Sequence, residues 1–365
     1  MRLLRKLAVR KTYSLWTGTP VLTLPTKARA ERLLGVDAHS LVLQTSYITG
    51  YFDINLSTWR SAPFVGGFVP FFVFLWACVR ADRIHSFCDR GILTPTRFMQ
   101  YNRWELLTYR LIGMQVFLWT YGADVRTRQR TLALGTPNCC MECTQIGKAC
   151  ICDDSVQTQY MAYLHCMVTA VFAMGDMTEY SQGSINNLFF WPLDLEAQNG
   201  EKYAPAYPAP PSNRPLRIVH APNHRMFKGT HFLEEAVAEL KKQGKNIELV
   251  MVERLSNVEA LNVYRTADII FDQCLIGSHG YFGLEAMALG KPLMCYIGKD
   301  EYVIAPDECP IIRVTPQTIA SCLLEVLGNR ESLYEIGVTG RAYIEKYYSI
   351  PAFSRRLGAA LRQFS

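Results

Sequence analysis

No long basic stripe runs through this 365-residue chain; its formal net charge of +6 is spread out. Nucleic-acid binders usually concentrate Lys and Arg on one face, so nucleic acid is not an expected partner. An unbroken apolar run of membrane-crossing length is also missing. Ala62 to Val79 carries no charge, and about 18 apolar residues is the lower limit for a helical span. Pro63, Gly66, Gly67 and Pro70 interrupt its first half, which leaves Phe71 to Val79 as one short apolar helix expected in a core. Nor is there a secretory signal, because the basic start is not followed by an apolar run and a small-residue cleavage site. A cytoplasmic protein is expected.

What is present is a globular balance, with 49% hydrophobic and 19% charged residues, and a length beyond one usual core, so two domains are expected. Arg2, Arg5, Lys6, Arg10 and Lys11 crowd the first dozen positions. They read either as a solvated tail or, with Leu3, Leu4, Leu7 and Val9 between them, as a peripheral contact with an anionic membrane. Of the 12 cysteines, five (Cys139, Cys140, Cys143, Cys150 and Cys152) fall within fourteen positions. Four thiolates such as Cys139, Cys143, Cys150 and Cys152 would suit a structural zinc. Disulfides or unpaired thiols are the other reading, since the paired C-x2-C pattern with a longer intervening loop is absent.

From Arg214 onward, short β-branched runs alternate with helical periodicity. Strands are expected at Arg217 to Ala221, Ile247 to Val252, Ile269 to Phe271 and Leu293 to Ile297, with helices at Thr230 to Lys242, Asn257 to Ala267 and Leu284 to Leu289. Gly244 and Gly290 punctuate helix ends, and Ser256 with Glu259 has capping-box spacing. The first half repeats the rhythm more loosely, with strand candidates at Val21 to Leu24, Leu41 to Leu43, Arg83 to Phe87, Gln115 to Tyr121 and Ala170 to Met174. Between the halves, residues 203–215 hold five prolines and read as a semi-rigid linker. The fold class expected is α/β, two Rossmann-like domains facing each other across a cleft: residues 1–202 with the cysteine-rich loop, 216–348, and a last helix 349–365 crossing back to the first domain.

Two loops in the second half suit an anion. Gly277-Ser278-His279-Gly280 through Gly283 joins a strand to a helix, where backbone amides and the helix dipole favour phosphate, although close strand-helix packing would also ask for glycine. Asn223 to Gly229 carries Arg225 and Lys228 after the first strand of the same domain. Glu285, expected in the first turn of the helix after the glycine loop, suits sugar or ribose hydroxyls. In the first half, Asp124 and His85 follow or end strands and are candidates to orient an acceptor hydroxyl, with ordinary loop and core roles as the alternatives. Asp176 and Glu179 follow the last strand of that half and either face the same gap or cap a helix.

The series from Lys228-Gly229 through Ser256 to Asp268 and on to Gly283-Leu-Glu285-Ala-Met-Ala-Leu-Gly290-Lys-Pro292 resembles the donor domain of GT-B glycosyltransferases of the retaining family 4, over roughly residues 214 to 345. The resemblance implies that Lys228 and the near match Arg225 hold a nucleotide-sugar diphosphate, that Glu285 binds donor ribose, and that Gly277, Ser278, His279, Gly280 and Glu259 belong to the donor site. Gly277 stands where the family has a glutamate that contacts the donor sugar; His279 or Asp272 would have to compensate. The implied activity is transfer of a sugar from a nucleotide-sugar to a glycan, lipid-linked or small-molecule acceptor, with retention and without a catalytic metal. A non-catalytic glycan- or partner-binding protein of the same fold is the alternative, and a nucleotide-sugar epimerase a third.

Overall fold

In the computed structural model the described residues are 11–45, 51–141, 143–148, 150–187, 191–210 and 213–364. The N-terminal cations other than Lys11 lie outside them. The chain divides into two compact units. One comprises the residues up to Arg130, Ile146–Pro192 and those from Ile350 onward; the other comprises Thr131–Gln145 and Leu193–Ser349.

The first unit is built on β1 (Tyr13–Trp16), β2 (Asp37–Val42), β3 (Ile54–Asn55), β4 (Arg83–Phe87), β5 (Gln115–Trp119), β6 (Ala170–Ala173) and β7 (Ile185–Asn186). They form one parallel sheet in the order β3-β2-β1-β4-β5-β6-β7. The second unit holds β8 (Leu216–His220), β9 (Ile247–Met251), β10 (Ile269–Gln273), β11 (Leu293–Cys295) and β12 (Ile312–Arg313), parallel in the order β12-β11-β10-β8-β9. Both units are Rossmann-like, as the alternation of runs and helices anticipated. Each sheet reverses its strand order once, between β1 and β4 and between β8 and β10, and such a switch point opens a crevice at the carboxyl ends of the strands.

Several elements differ from the sequence expectation. Val21 to Leu24 is not a strand: Thr23–Arg32 is helical, with Pro25 in its first turn, where the missing N–H does no harm. The first strand lies earlier, in the four buried residues Tyr13–Trp16. Pro70 likewise begins the helix Val69–Arg80 rather than breaking it. That helix buries Pro70, Val73, Phe74 and Ala77, but its outer face is exposed, contrary to the expectation of a core helix. Among the described residues, no helix is long and apolar enough to cross a membrane.

The core of the first unit encloses charge. Glu31 is buried and accepts from Trp16 Nε1 at 2.7 Å and from Arg83 Nη1 at 2.6 Å. The Lys27 Nζ sits 4.9 Å from the Trp119 ring centre, and burial pushes the pKa of this amine well below its ordinary value. The final helix Ile350–Leu361 packs on Thr23–Arg32, and Gln115 Nε2 reaches the Phe364 carbonyl at 2.8 Å. Burial alone would raise the Glu31 carboxyl, but His85 and the Arg83 guanidinium outweigh it and hold its pKa at about 2. A folded-state pKa below the unfolded value stabilises the fold above the unfolded pKa, and that stability is lost as pH falls toward the folded one. Urea unfolding of Glu31→Gln should therefore show a deficit on the order of 3 kcal/mol at neutral pH that narrows as pH falls from about 4 to 2. A deficit independent of pH would contradict this ionic role.

Candidate functional site

The switch point of the second unit carries the strongest polar constellation. After β8 the chain makes a short helix, Arg225–Lys228, and turns at Gly229 with φ +70°. A side chain at Gly229 would collide with Cys274 Sγ, so glycine lets this loop lie against the end of β10. Lys228 Nζ then reaches Asp272 Oδ1 at 2.5 Å, and Asp272 Oδ2 accepts from the Gly280 amide at 2.6 Å. Asp272 is fully buried. Burial would raise its carboxyl, but the adjacent Lys228 ammonium and the Gly280 amide hold it below the usual carboxylate range. Only 12% of the Lys228 side chain is exposed, and an ammonium has three donors, of which Asp272 takes one.

The glycine loop is folded by a residue that sequence reasoning passed over. Gln273 donates from Nε2 to the carbonyls of Ser278 at 3.1 Å and Tyr296 at 2.8 Å, and its Oε1 accepts from the Leu275 and Ile276 amides at 2.7 and 2.5 Å. Gly277 O accepts from Gly298 N at 2.8 Å, and a Cβ on Gly298 would lie 3.4 Å from Gly277 Cα, so two backbones pass closely at Gly277. The helix begins at Tyr281, with Gly280 as an N-cap lacking a side-chain acceptor, which leaves its first amides to another acceptor. Gly283 is inside the helix, where an added Cβ would meet Leu293 and Asp272; its role is close packing.

Because the helix starts three residues early, Glu285 sits in its second turn, not its first. Its buried carboxylate accepts from Tyr203 Oη at 3.0 Å and Asn257 Nδ2 at 2.9 Å, and burial raises its pKa. His279 is buried with Nε2 3.0 Å from Tyr348 Oη. Glu259 is an exposed helix cap, bonded to Ser256 N and Oγ at 2.9 and 2.6 Å. Arg225 is exposed and paired with Glu234 and, at 3.3 Å, Glu253. Lys228 and Gly280 thus come together around Asp272, whereas Glu259 and Arg225 are engaged elsewhere.

In the first unit His85 does not reach the sheet edge. It is the third residue of β4, stacked on Trp16 at 3.8 Å between ring centres and accepting from Trp119 Nε1 at 3.2 Å, and burial lowers its pKa. Asp124 is at the carboxyl edge but buried: Oδ1 accepts from the Tyr121 and Gly122 amides, each at 2.9 Å, and Oδ2 has no partner. Beyond β4, at the switch point of this sheet, lies Asp89, which the sequence did not single out. It accepts from Thr19 Oγ1 at 2.9 Å and Tyr121 Oη at 3.1 Å. Asp176 binds Arg126 through Nε at 2.9 Å and Nη2 at 2.6 Å, and Glu179 binds Arg130 at 2.8 Å; both ion pairs lie within the unit.

Cys139 and Cys140 are buried in the apolar core of the second unit with Leu216, Ile218 and Phe271, while Cys150 and Cys152 belong to the first. Cys152 accepts from the Gly147 amide and pairs with Thr127. Among the described residues no group of three or more His, Cys, Asp or Glu is placed to hold a metal ion.

The two parallel-sheet units match structures of the GT-B glycosyltransferase class. One is Anabaena Alr3699/HepE in complex with UDP and glucose, at TM-score 0.61 and 12% identity over 96% of this chain and 100% of that one. Another is sucrose-phosphate synthase from Thermosynechococcus elongatus, at TM-score 0.59 and 13% identity over 97% and 99%. A putative UDP-N-acetylglucosamine 2-epimerase from Listeria monocytogenes shares the fold at TM-score 0.53 and 13% identity over 97% of each chain. No protein-family profile matches the chain, and no curated protein matches it in sequence.

Burial, and then the neighbouring Asp89, push the Asp124 carboxyl up to about 7. A folded-state pKa above the unfolded value of about 3.9 adds stability at low pH that is lost as pH rises through about 7. Wild type should therefore lose stability relative to Asp124→Asn between about pH 4 and 7, by a few kcal/mol. Chemical denaturation across that window measures it, and parallel profiles would place the proton elsewhere.

Proposed function

We propose that the protein is a glycosyltransferase that binds a UDP-sugar at the switch point of its second unit. The observation that carries this reading is the Lys228–Asp272–Gly280 constellation: a nearly buried ammonium beside the uncapped start of the helix Tyr281–Ala288, between the ends of β8 and β10. A diphosphate there would take donors left on Lys228 and the helix-start amides. As the bond to the sugar breaks, negative charge gathers on the diphosphate, and a fixed cation in a low-dielectric edge stabilises it more than water would. Uridine is chosen because HepE, which shares the fold, is in complex with UDP. Glu285, held by Tyr203 and Asn257, is assigned to the donor ribose. Retention and acceptor binding on the first unit follow from the family 4 resemblance, a cytoplasmic location from the sequence reading alone, and Asp124, held by the Tyr121 and Gly122 amides, is assigned to orient the acceptor.

A second reading, a non-catalytic nucleotide-sugar binder, draws on two observations. Gly277 replaces the carboxylate expected beside the donor sugar, and Arg225 is occupied by Glu234 and Glu253. Binding of a UDP-sugar without its transfer or hydrolysis would favour it.

Removing Lys228 alone would orphan a buried carboxylate at a cost of about 3 to 5 kcal/mol, so the test uses Lys228→Met with Asp272→Asn. With wild type, UDP at about 100 times its Kd should add about 2.7 kcal/mol of stability in a thermal-shift titration, and GDP or ADP much less. The double variant should stay folded and lose the UDP response. A retained response would refute the site, and no response of wild type to any nucleotide would refute the donor assignment.

A further inference from the structure

The helix Val69–Arg80 is apolar on all sides, yet only one side is covered. Its inner face packs into the first unit, Phe74 lying 5.6 Å from Tyr109 between ring centres. On its outer face and in the turn before it, Trp59, Phe64, Phe68, Phe72 and Val79 are 63%, 96%, 62%, 64% and 57% exposed. On the helix Arg103–Leu111, Trp104 and Leu111 are likewise 72% and 77% exposed. So many exposed aromatic side chains along one helix and the segment before it mark a docking surface.

Charge decides what docks there. No Asp or Glu occurs between Asp53 and Asp82, where Arg60 and Arg80 are the only charged residues. Between Asp89 and Asp124 the single acidic residue is Glu105. That carboxylate is turned inward, accepting from the Ile92 and Leu93 amides at 2.8 Å each, while Arg103 and Arg110 of the same helix are exposed. At the rim, Asp37 lies 3.6 Å from Arg80, and Asp82 accepts from the Tyr13 amide. Tyr13 in turn touches both Trp76, at 5.9 Å between ring centres, and the Arg80 guanidinium, at 4.5 Å. The chain thus enters β1 beside this helix, and directly before Tyr13 the sequence holds Arg2, Arg5, Lys6, Arg10 and Lys11. Two copies meeting on this face about a twofold axis would set like charges against each other. Aromatic side chains whose rim is richer in cations than in carboxylates, Asp37 being paired with Arg80, instead complement an acyl-chain boundary beneath anionic headgroups.

We propose that the outer face of Val69–Arg80 and its preceding turn dock the protein onto an anionic lipid bilayer, independently of the donor site. The test is flotation of the purified full chain with vesicles of phosphatidylcholine alone and of equimolar phosphatidylcholine and phosphatidylglycerol. Wild type should float with the anionic vesicles about tenfold more than with the neutral ones, and less as salt is raised. Phe68→Glu and Phe72→Glu, at exposed positions, should lower the bound fraction about tenfold at an unchanged melting temperature. Failure of wild type to float, or flotation of the variants like wild type, overturns the proposal. A dimer seen by sedimentation equilibrium that Phe72→Glu dissociates, without vesicle binding, assigns the face to a second copy instead.

Discussion

A carboxylate buried at the end of β10 organises the second unit's carboxyl edge. Asp272 has no water to solvate it, so it must be paired, and its two oxygens fix the Lys228 ammonium on one side and the Gly280 amide on the other. That single constraint ties the loop after β8 to the loop after β10 at the place where the strand order reverses. It also sets the charge balance. The pair is neutral as it stands, so the proposed diphosphate would share with Asp272 an ammonium whose position is already fixed, taking the donors that Asp272 leaves. Preorganisation of this kind lowers the reorganisation needed when charge develops. It also means that substitutions at Lys228 report on folding and binding together, because the carboxylate left behind is the costlier loss.

The first unit solves a different problem. Its sheet encloses Lys27, Glu31, Arg83 and His85 among Trp16, Phe117 and Trp119. Here the ionisable groups lie below the strand ends, covered by the final helix, and His85 is stacked on both faces. A ring so held cannot reach an acceptor without dismantling the core, so its part is structural. The groups at the edge are Asp89 and Asp124, joined through Tyr121, which gives its hydroxyl to one and its amide to the other. Two carboxyls in one dry edge raise each other's cost of ionisation.

The second half was legible because each βα unit carries its own punctuation. Thr230–Lys242 ends at Gly244 in the left-handed conformation, and Ser256 with Glu259 forms the capping box its spacing required. The register of Glu285 was lost because Tyr281 and Phe282 read as loop when the helix already begins there; a glycine used for packing, Gly283, looks the same in sequence as one used for a turn. Gln273 was hidden at the end of the Ile-Ile-Phe-Asp run, although two polar residues closing a buried strand are themselves a signal that something holds them. In the first half, a four-residue strand before a Thr-Gly-Thr-Pro turn is too short to show a period. Of the clustered cysteines, Cys139 and Cys140 lie in the second unit's apolar core.

The helix Val69–Arg80 shows where periodicity stops informing. With apolar residues on every side it has no polar face to mark solvent, so the pattern cannot say whether one or both sides are covered. Proline and glycine before it argued correctly against a span, but a helix too short to cross a bilayer can still lie in its surface. That distinction bears on the acceptor. A soluble glycan gains nothing from an enzyme held at a membrane. A lipid-linked one is confined to the same surface, and shared confinement raises its effective concentration at the first unit without any added contact. On the proposed reading, with the acceptor on the first unit and that unit docked on a bilayer, the lipid-linked class is the acceptor that gains from the docking.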